Sequence, residues 1–445
     1  MPAERQVRTK VAAGGFLMRG GGLSGHKAVG TLYLVMAVLA GLIGGGLALP
    51  LRIGADTDAS WGRMAIDHGA LMVLFCALPA LVGGFGSWFV PLLLGAPDMA
   101  FRRLNLACWA GVALSFGLVV AGVSTAAAMV LWCVAMLGLA INIVATALNM
   151  RGRTVALGAM PLFVWAQVLT AMMMVIVLPV LAAALTRGLL AGAGFDIVVR
   201  AMHAFSGPEV GLLLLPAAGV ICQLVETFSG VGLRLRETAL GAMVVLSVGG
   251  ASVWVHDVFA TGLMAQPDAR PLIEQAVMAL PMLVLLVAWG RTIMAGRPVF
   301  RVPMLWAVAF MAMLVAAPLQ VLADGGAGAH ALVLPAALFA AFGGFYYWIG
   351  KMAGGAYPEW MGRLHVALAV GGSVLSVLPG GVMAGVAMQG LSMLAFVAVL
   401  AVALLGRRRV SGNYWGAGAR TLEWTLPSPA PRDSFAGFMV GRAGA

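Results

Sequence analysis

Charge is what this 445-residue chain lacks: 10% of its residues are Asp, Glu, Lys or Arg, against 62% hydrophobic. So little polar surface cannot cover a water-soluble domain of this size, and a soluble fold is excluded. Acidic side chains are the scarcer sign, 16 against 27 basic. The resulting +11 does not mark a nucleic-acid binder, because the basic residues sit in short groups between apolar runs and form no single patch. Cysteine is also sparse. Cys76, Cys108, Cys133 and Cys222 all lie inside apolar runs without paired spacing, which excludes a disulfide framework and a zinc site. The stretch to Lys27 is basic and Gly-rich, with no compact apolar core before a small-residue cleavage site, so it does not read as a signal peptide.

Long apolar runs are what is there. Twelve segments reach the roughly 20 residues that a bilayer core requires: 29-50, 66-94, 105-124, 127-148, 159-185, 204-228, 237-262, 272-294, 303-323, 329-350, 365-386 and 388-406. The fold class expected is all-α, a polytopic membrane bundle of about twelve transmembrane helices. It divides into a basic tail over 1-27, the membrane domain over 28-406 and a second tail over 407-445. Arg102 and Arg103, Arg151 and Arg153, Arg234 and Arg236, Arg291, Arg297 and Arg301, Lys351 and Arg363, and Arg407 to Arg409 share one side with the basic N-terminus. Asp56, Asp58, Asp196, Asp268 and Asp324 mark the other. The positive-inside rule then places both termini in the cytoplasm, in a bacterial-type inner membrane.

Within this topology His68 opens the second span and His330 the tenth, and both spans run inward from the outer face, so the two imidazoles share one depth. An intramembrane histidine needs a partner, and imidazole nitrogen ligates iron well, so the pair suits one bis-His haem. Spacing alone leaves open that each is a hydrogen-bonded packing residue. The 28 methionines are scattered through the spans and read as core. Gly83, Gly84 and Gly86, with Gly343 and Gly344, would permit close helix packing.

Several ordered blocks carry a resemblance. They are His26-Lys27-Ala28-Val29-Gly30-Thr31-Leu32-Tyr33-Leu34; His68-Gly69 through Gly83-Gly84-Phe85-Gly86-Ser87-Trp88-Phe89-Val90-Pro91; Gly95-Ala96-Pro97-Asp98-Met99-Ala100-Phe101; and Met160-Pro161-Leu162-Phe163-Val164-Trp165. Gly344-Phe345-Tyr346-Tyr347-Trp348, Tyr357-Pro358-Glu359-Trp360 and Thr421-Leu422-Glu423-Trp424-Thr425-Leu426-Pro427-Ser428-Pro429 continue the series. Spread over almost the whole chain, they resemble subunit I of the haem-copper oxidases of the cytochrome c oxidase type. The resemblance implies that His68 and His330 are the axial ligands of a low-spin haem of A or B type, and that Arg52 touches its periphery. Arg52 also suits an interfacial anchor.

The same resemblance implies that the oxygen-reducing centre is lost. Where the family's tenth helix has His-Phe-His, this chain has Gly328-Ala329-His330, so the high-spin haem ligand is replaced by glycine. The family's Gly-His-Pro-Glu-Val-Tyr becomes Ser206-Gly207-Pro208-Glu209-Val210-Gly211, and its His-His pair becomes His256-Asp257. His256 is then a relic copper ligand, and copper is not expected, since such a site needs about three imidazoles. His203, one turn before Gly207, could join His256 and Asp257 in a displaced site, but one turn is about 5.4 Å, more than coordination tolerates. A hydrogen-bonded pair, or residues lining a vacated pocket, is the ordinary reading of these histidines.

Asp98, Ser87, Asn105 and Glu209 match one proton path of the family, whereas the positions of the other path fall on Leu285, Met282 and Ala288. A buried carboxylate such as Glu209 usually signals proton traffic or a hidden partner, and Asp98 beside Pro97 also suits a helix cap. The outer metal site of the family reads Gln320-Val321, and the paired arginines expected after the eleventh helix give way to Met388-Gln389-Gly390. Three functions remain open: a subunit that carries electrons through one low-spin haem without reducing oxygen, a haem-free structural or assembly subunit, and an active terminal oxidase with rewired ligands. The first is preferred. Its implied partners are the lipid bilayer, other respiratory subunits and an electron donor.

Overall fold

The computed structural model describes residues 24–53, 59–152, 155–192, 194–261, 272–324, 329–378, 380–432 and 434–435. Among them the chain makes twelve consecutive helical rods: α1, His26–Ile53; α2, from Ala59–Ala70 to Phe85–Leu94; α3, Arg102–Val120; α4, Thr125–Asn149; α5, Leu162–Leu190; α6, Asp196–Ser229. Then come α7, from Arg236–Val244 to Gly250–Thr261; α8, Leu272–Ala295; α9, Val302–Asp324; α10, Ala329–Ala353; α11, Glu359–Val377; and α12, Val382–Leu405. Eleven are long and apolar enough to cross a bilayer, and the apolar part found in α9, Val302–Ala317, is shorter. A polytopic all-helical membrane protein is therefore observed as expected.

One boundary differs from the sequence expectation. Hydropathy carries the eleventh span to 386, but α11 ends at Val377 and α12 already begins at Val382. The sequence Leu378-Pro379-Gly380-Gly381 explains the shift: Gly380 takes φ +73°, and Pro-Gly steps break helices that hydropathy alone would run together. Met388, Gln389 and Gly390 consequently lie within α12, not in the connection after α11. There Gln389 Nε2 donates to Ser376 Oγ of α11 at 3.3 Å.

Most helices pack on a neighbour in the chain, the pairs α8–α9 and α10–α11 being the ones that touch little, and α6 and α10 pack together at the centre. The α10 helix also meets the Leu71–Ala77 stretch of α2. In the most apolar window of α2 and of α6, 89% of residues are buried, against 22% in α12, so α2 and α6 are core and α12 is rim. Two π-helical stretches, Leu71–Ala77 and Pro79–Gly84, interrupt α2. A π turn loosens the backbone ladder, and in lipid its carbonyls need another donor. Trp132 Nε1 donates to Leu74 O at 2.7 Å and Gln167 Nε2 to Leu81 O at 2.9 Å, which ties α4 and α5 to these stretches. Close approach follows from the glycines: a Cβ at Gly83 would lie 2.6 Å from the Tyr33 ring, and one at Gly344 2.9 Å from Phe85.

Candidate functional site

His68 ends the first turns of α2, half-buried, with Nδ1 2.7 Å from the Gly44 carbonyl of α1. Since a carbonyl only accepts, Nδ1 carries the proton and Nε2 keeps its lone pair. This is how metal-ligating histidines are usually oriented, by a hydrogen bond from the other ring nitrogen. Gly44 is the α1 residue that faces α2, where an added Cβ would meet Met72 and Leu71, while Gly45 and Gly46 are exposed. An oriented ring nitrogen with its lone pair available suits a metal ligand. His330 lies in the first turn of α10, the helix that packs on α2 just beyond His68. The side chains of His330, Arg52, Asp257, Gln320 and Val321, and the whole of Gly328, lie outside the described residues.

The region matching the family's dinuclear centre is built differently. Gly207 and Gly211 of α6 are buried. A Cβ on Gly211 would come within 2.9 Å of Met173 Cε and 3.1 Å of its Sδ, while one on Gly250 of α7 would strike Met278 Cε. Methionines from α5 and α8 thus fill the space between α6 and α7, closed by buried Leu246, Met282 and Leu285. His203 and His256 are both exposed. The backbone carbonyl of His203 accepts the Ser206 hydroxyl at 2.6 Å, and Trp254 Nε1 donates to Ala204 O at 2.9 Å, clasping α7 to α6. Glu209 stands half-buried in α6.

Asp98, Ser87 and Asn105 are drawn together through a residue not singled out as a site in the sequence, His26. Asp98 Oδ1 accepts the His26 backbone N–H at 3.0 Å and that of Met99 at 2.8 Å, and its other oxygen lies 3.4 Å from Arg102 Nε. The capping role expected for Asp98 is therefore real, but it closes the start of α1 and not its own following helix. Burial pushes the Asp98 carboxyl above the ordinary carboxylate range, opposed by those two N–H groups and by Arg102 and Lys27. His26 Nδ1 sits 3.0 Å from Ser87 O, and Ser87 Oγ donates to Asn105 Oδ1 at 3.3 Å. His26 Nε2, Asn105 Nδ2 and the Tyr33 hydroxyl are buried without a hydrogen-bond partner, so the polar seam is incomplete as it stands and suits water between its members.

Sequence reasoning also missed a cluster where the chain returns after α12. Glu423 is fully buried there, Lys351 Nζ donates to Gly412 O and Leu426 O at 2.6 and 2.7 Å, and Trp424 Nε1 donates to the Tyr347 hydroxyl at 2.9 Å. The one available signal was the Thr421-to-Pro429 block itself, whose density of aromatic and polar residues is unlike a solvated tail.

The family model described as "Cytochrome C and Quinol oxidase polypeptide I" matches residues 28–323 of the chain. Cytochrome c oxidase subunit 1 of Cereibacter sphaeroides is similar to the chain, 30% identical over 464 aligned positions that cover 84% of this chain and 81% of the relative.

Proposed function

Because this chain belongs to the family of cytochrome c and quinol oxidase polypeptide I, we propose that it holds one low-spin haem between His68 and His330 and carries electrons within a respiratory membrane complex, without an oxygen-reducing centre of its own. The observation that carries this reading is the His68 ring, whose Nδ1 is engaged by Gly44 O at 2.7 Å so that Nε2 is left to coordinate. Bound there, the haem would supply one-electron transfer. The chain's own contribution is to fix the imidazole tautomer through Gly44. Arg52 would serve the haem periphery.

The second centre differs in residue type at its ligand positions and in the packing beside Gly211. Gly328, Gly207 and Asp257 occupy the ligand positions, and Met173 occupies the volume that a tyrosine at Gly211 would need. Glycine offers copper no donor, and the single thioether of Met173 would not replace the three imidazoles such a site needs, while an iron with no protein axial ligand is neither held nor tuned. The Asp98, His26, Ser87 and Asn105 seam would then conduct or store protons only locally, with Glu209 a relic of the onward path. The setting of the protein is a bacterial inner membrane, with both termini cytoplasmic, beside other respiratory subunits and an electron donor.

Purified protein tests the reading by stoichiometry and spectrum. One iron per chain, no copper, a six-coordinate reduced-minus-oxidised spectrum and no response to carbon monoxide are expected. A carbon monoxide shift would make the chain an active oxidase with rewired ligands. Protein without iron would make it a structural subunit.

A further inference from the structure

After α12 the chain does not leave the bundle. It turns back as a strap across the end of α10: Val410 N donates to Gly354 O and Ala356 N to Arg408 O, both at 3.2 Å. The Tyr347 carbonyl receives Tyr414 OH at 2.7 Å and Trp415 Nε1 at 3.0 Å. Ala430 N closes the strap on Lys351 O at 2.9 Å, and Lys27 at the start of α1 donates to Ser434 Oγ at 2.7 Å. Inside this strap sits Glu423, with no exposed surface.

Its two oxygens are unlike. Oε1 accepts from Thr421 Oγ1 at 2.9 Å and from Trp348 Nε1 at 3.4 Å. Oε2 is buried and has no partner. The nearby ammonium of Lys351 does not complete it, being turned to the carbonyls of Gly412 and Leu426 and held 4.9 Å over the Trp424 ring. An ionised carboxylate with one bare oxygen in a dry site is costly, and the neutral acid removes most of that cost. A route for the proton exists. Gln223 Nε2 of α6 donates to Thr421 Oγ1 at 2.6 Å, and these two residues line a recess of about 40 Å³ with Glu226, Thr227 and Arg420. That volume accommodates about three waters at about 10–15 Å³ each.

We propose that Glu423 is a proton-binding latch: its carboxyl takes up a proton from solvent through the Gln223–Thr421 recess, and its charge state sets how firmly the strap is seated on α10 and α6. The proton moves from water to Glu423, and no other bond changes. The titratable groups facing it are Lys351 and Tyr347 from α10 and Tyr414 from the strap itself, while Glu226 and Arg420 line the recess. Burial pushes the Glu423 carboxyl up to about 7, with the Thr421 and Trp348 hydrogen bonds and Lys351 opposing. Because the seated form holds its proton more tightly than the released form, the stabilisation is present at low pH and is lost as pH rises through about 7.

Hydrogen exchange of the strap amides in the full-length protein, corrected for the intrinsic base-catalysed rate, tests the latch. Between pH 6 and pH 8 protection at Val410 and Ala430 should fall by roughly tenfold, as linkage gives for an acid moved from its ordinary value to neutrality. Glu423→Gln keeps an oxygen for Thr421 and Trp348 but carries no charge, so its protection should stay at the pH 6 level throughout. Glu226→Gln should behave like the unaltered chain. Protection that is independent of pH in the unaltered chain, a pH response that survives in Glu423→Gln, or one that vanishes instead in Glu226→Gln would each overturn the proposal. The outcome is independent of haem content.

Discussion

The α2–α10 side of the bundle and the α6–α7–α8 side hold their space in opposite ways. On the first side the His68 ring is aimed by Gly44 O, and a glycine at 44 lets α1 approach Leu71 and Met72 of α2. Beside Gly211 the equivalent volume is taken by Met173, and beside Gly250 by Met278. The difference teaches that small residues along a helix need not leave a hole. Interiors pack to near-crystalline density, and unbranched thioethers are the side chains that best fill an irregular gap. On the function proposed above, the side that would hold the cofactor has an oriented donor, and the side that would have lost one is filled by long flexible side chains.

Removing the donor is the strongest way to break this contrast. His68→Ala should take haem content from about one per chain to none, while the protein still inserts and elutes as the unaltered chain does. Pyridine haemochrome assay against protein mass checks it. Undiminished haem in that variant would end the bis-His reading. His330→Ala should behave identically, since a low-spin haem needs both axial positions.

Much of the contrast is legible in the amino-acid sequence, and the reason is physical. Hydropathy fixes spans because a bilayer demands about 20 apolar residues per helix, and all twelve rods fall where the runs lie. It fails at 378–381 because a Pro-Gly-Gly break inside a continuous apolar run barely changes hydropathy. The pairing of Asp98, Ser87 and Asn105 is legible from the resemblance, but His26 as the link between them is not: its Nδ1 reaches a backbone carbonyl, and backbone partners have no sequence signature. The packing beside Gly211 and Gly250 is equally hidden, since Met173 and Met278 stand 105 residues apart (278 − 173) and look like any other core methionine.

A second substitution sharpens the other side of the comparison. Gly211→Tyr restores the family residue type at a place where even a Cβ meets Met173 at 2.9 Å. Overpacking of this kind destabilises by about 1–3 kcal/mol, so the thermal midpoint should fall clearly and haem content should fall little. Met173→Ala alone opens a cavity and should cost about 2–5 kcal/mol by the usual range for buried methionine. Combined, the two should recover part of the loss, because contacting sites couple non-additively. Additive penalties in the double variant would show that Met173 does not occupy the tyrosine's volume.

The smallest effect belongs to Asp98, which lies on neither side and so calibrates both. Asp98→Asn keeps an oxygen for the N–H groups of His26 and Met99, losing only the charge that faces Arg102 at 3.4 Å. The carboxyl is raised by burial, so its folded form binds a proton more tightly than its unfolded form. The linked stabilisation is therefore full below the ordinary carboxylate value and declines as pH rises through the raised one. The asparagine variant removes this dependence, and the exposed Arg102 contact contributes little, so the melting temperature near neutral pH should change by an amount worth less than about 1 kcal/mol. Haem content should not change at all. A loss of haem in Asp98→Asn would show that the start of α1, pinned by Asp98 at His26, controls the position of Gly44 further along the same helix, and would join the two regions that the packing keeps apart.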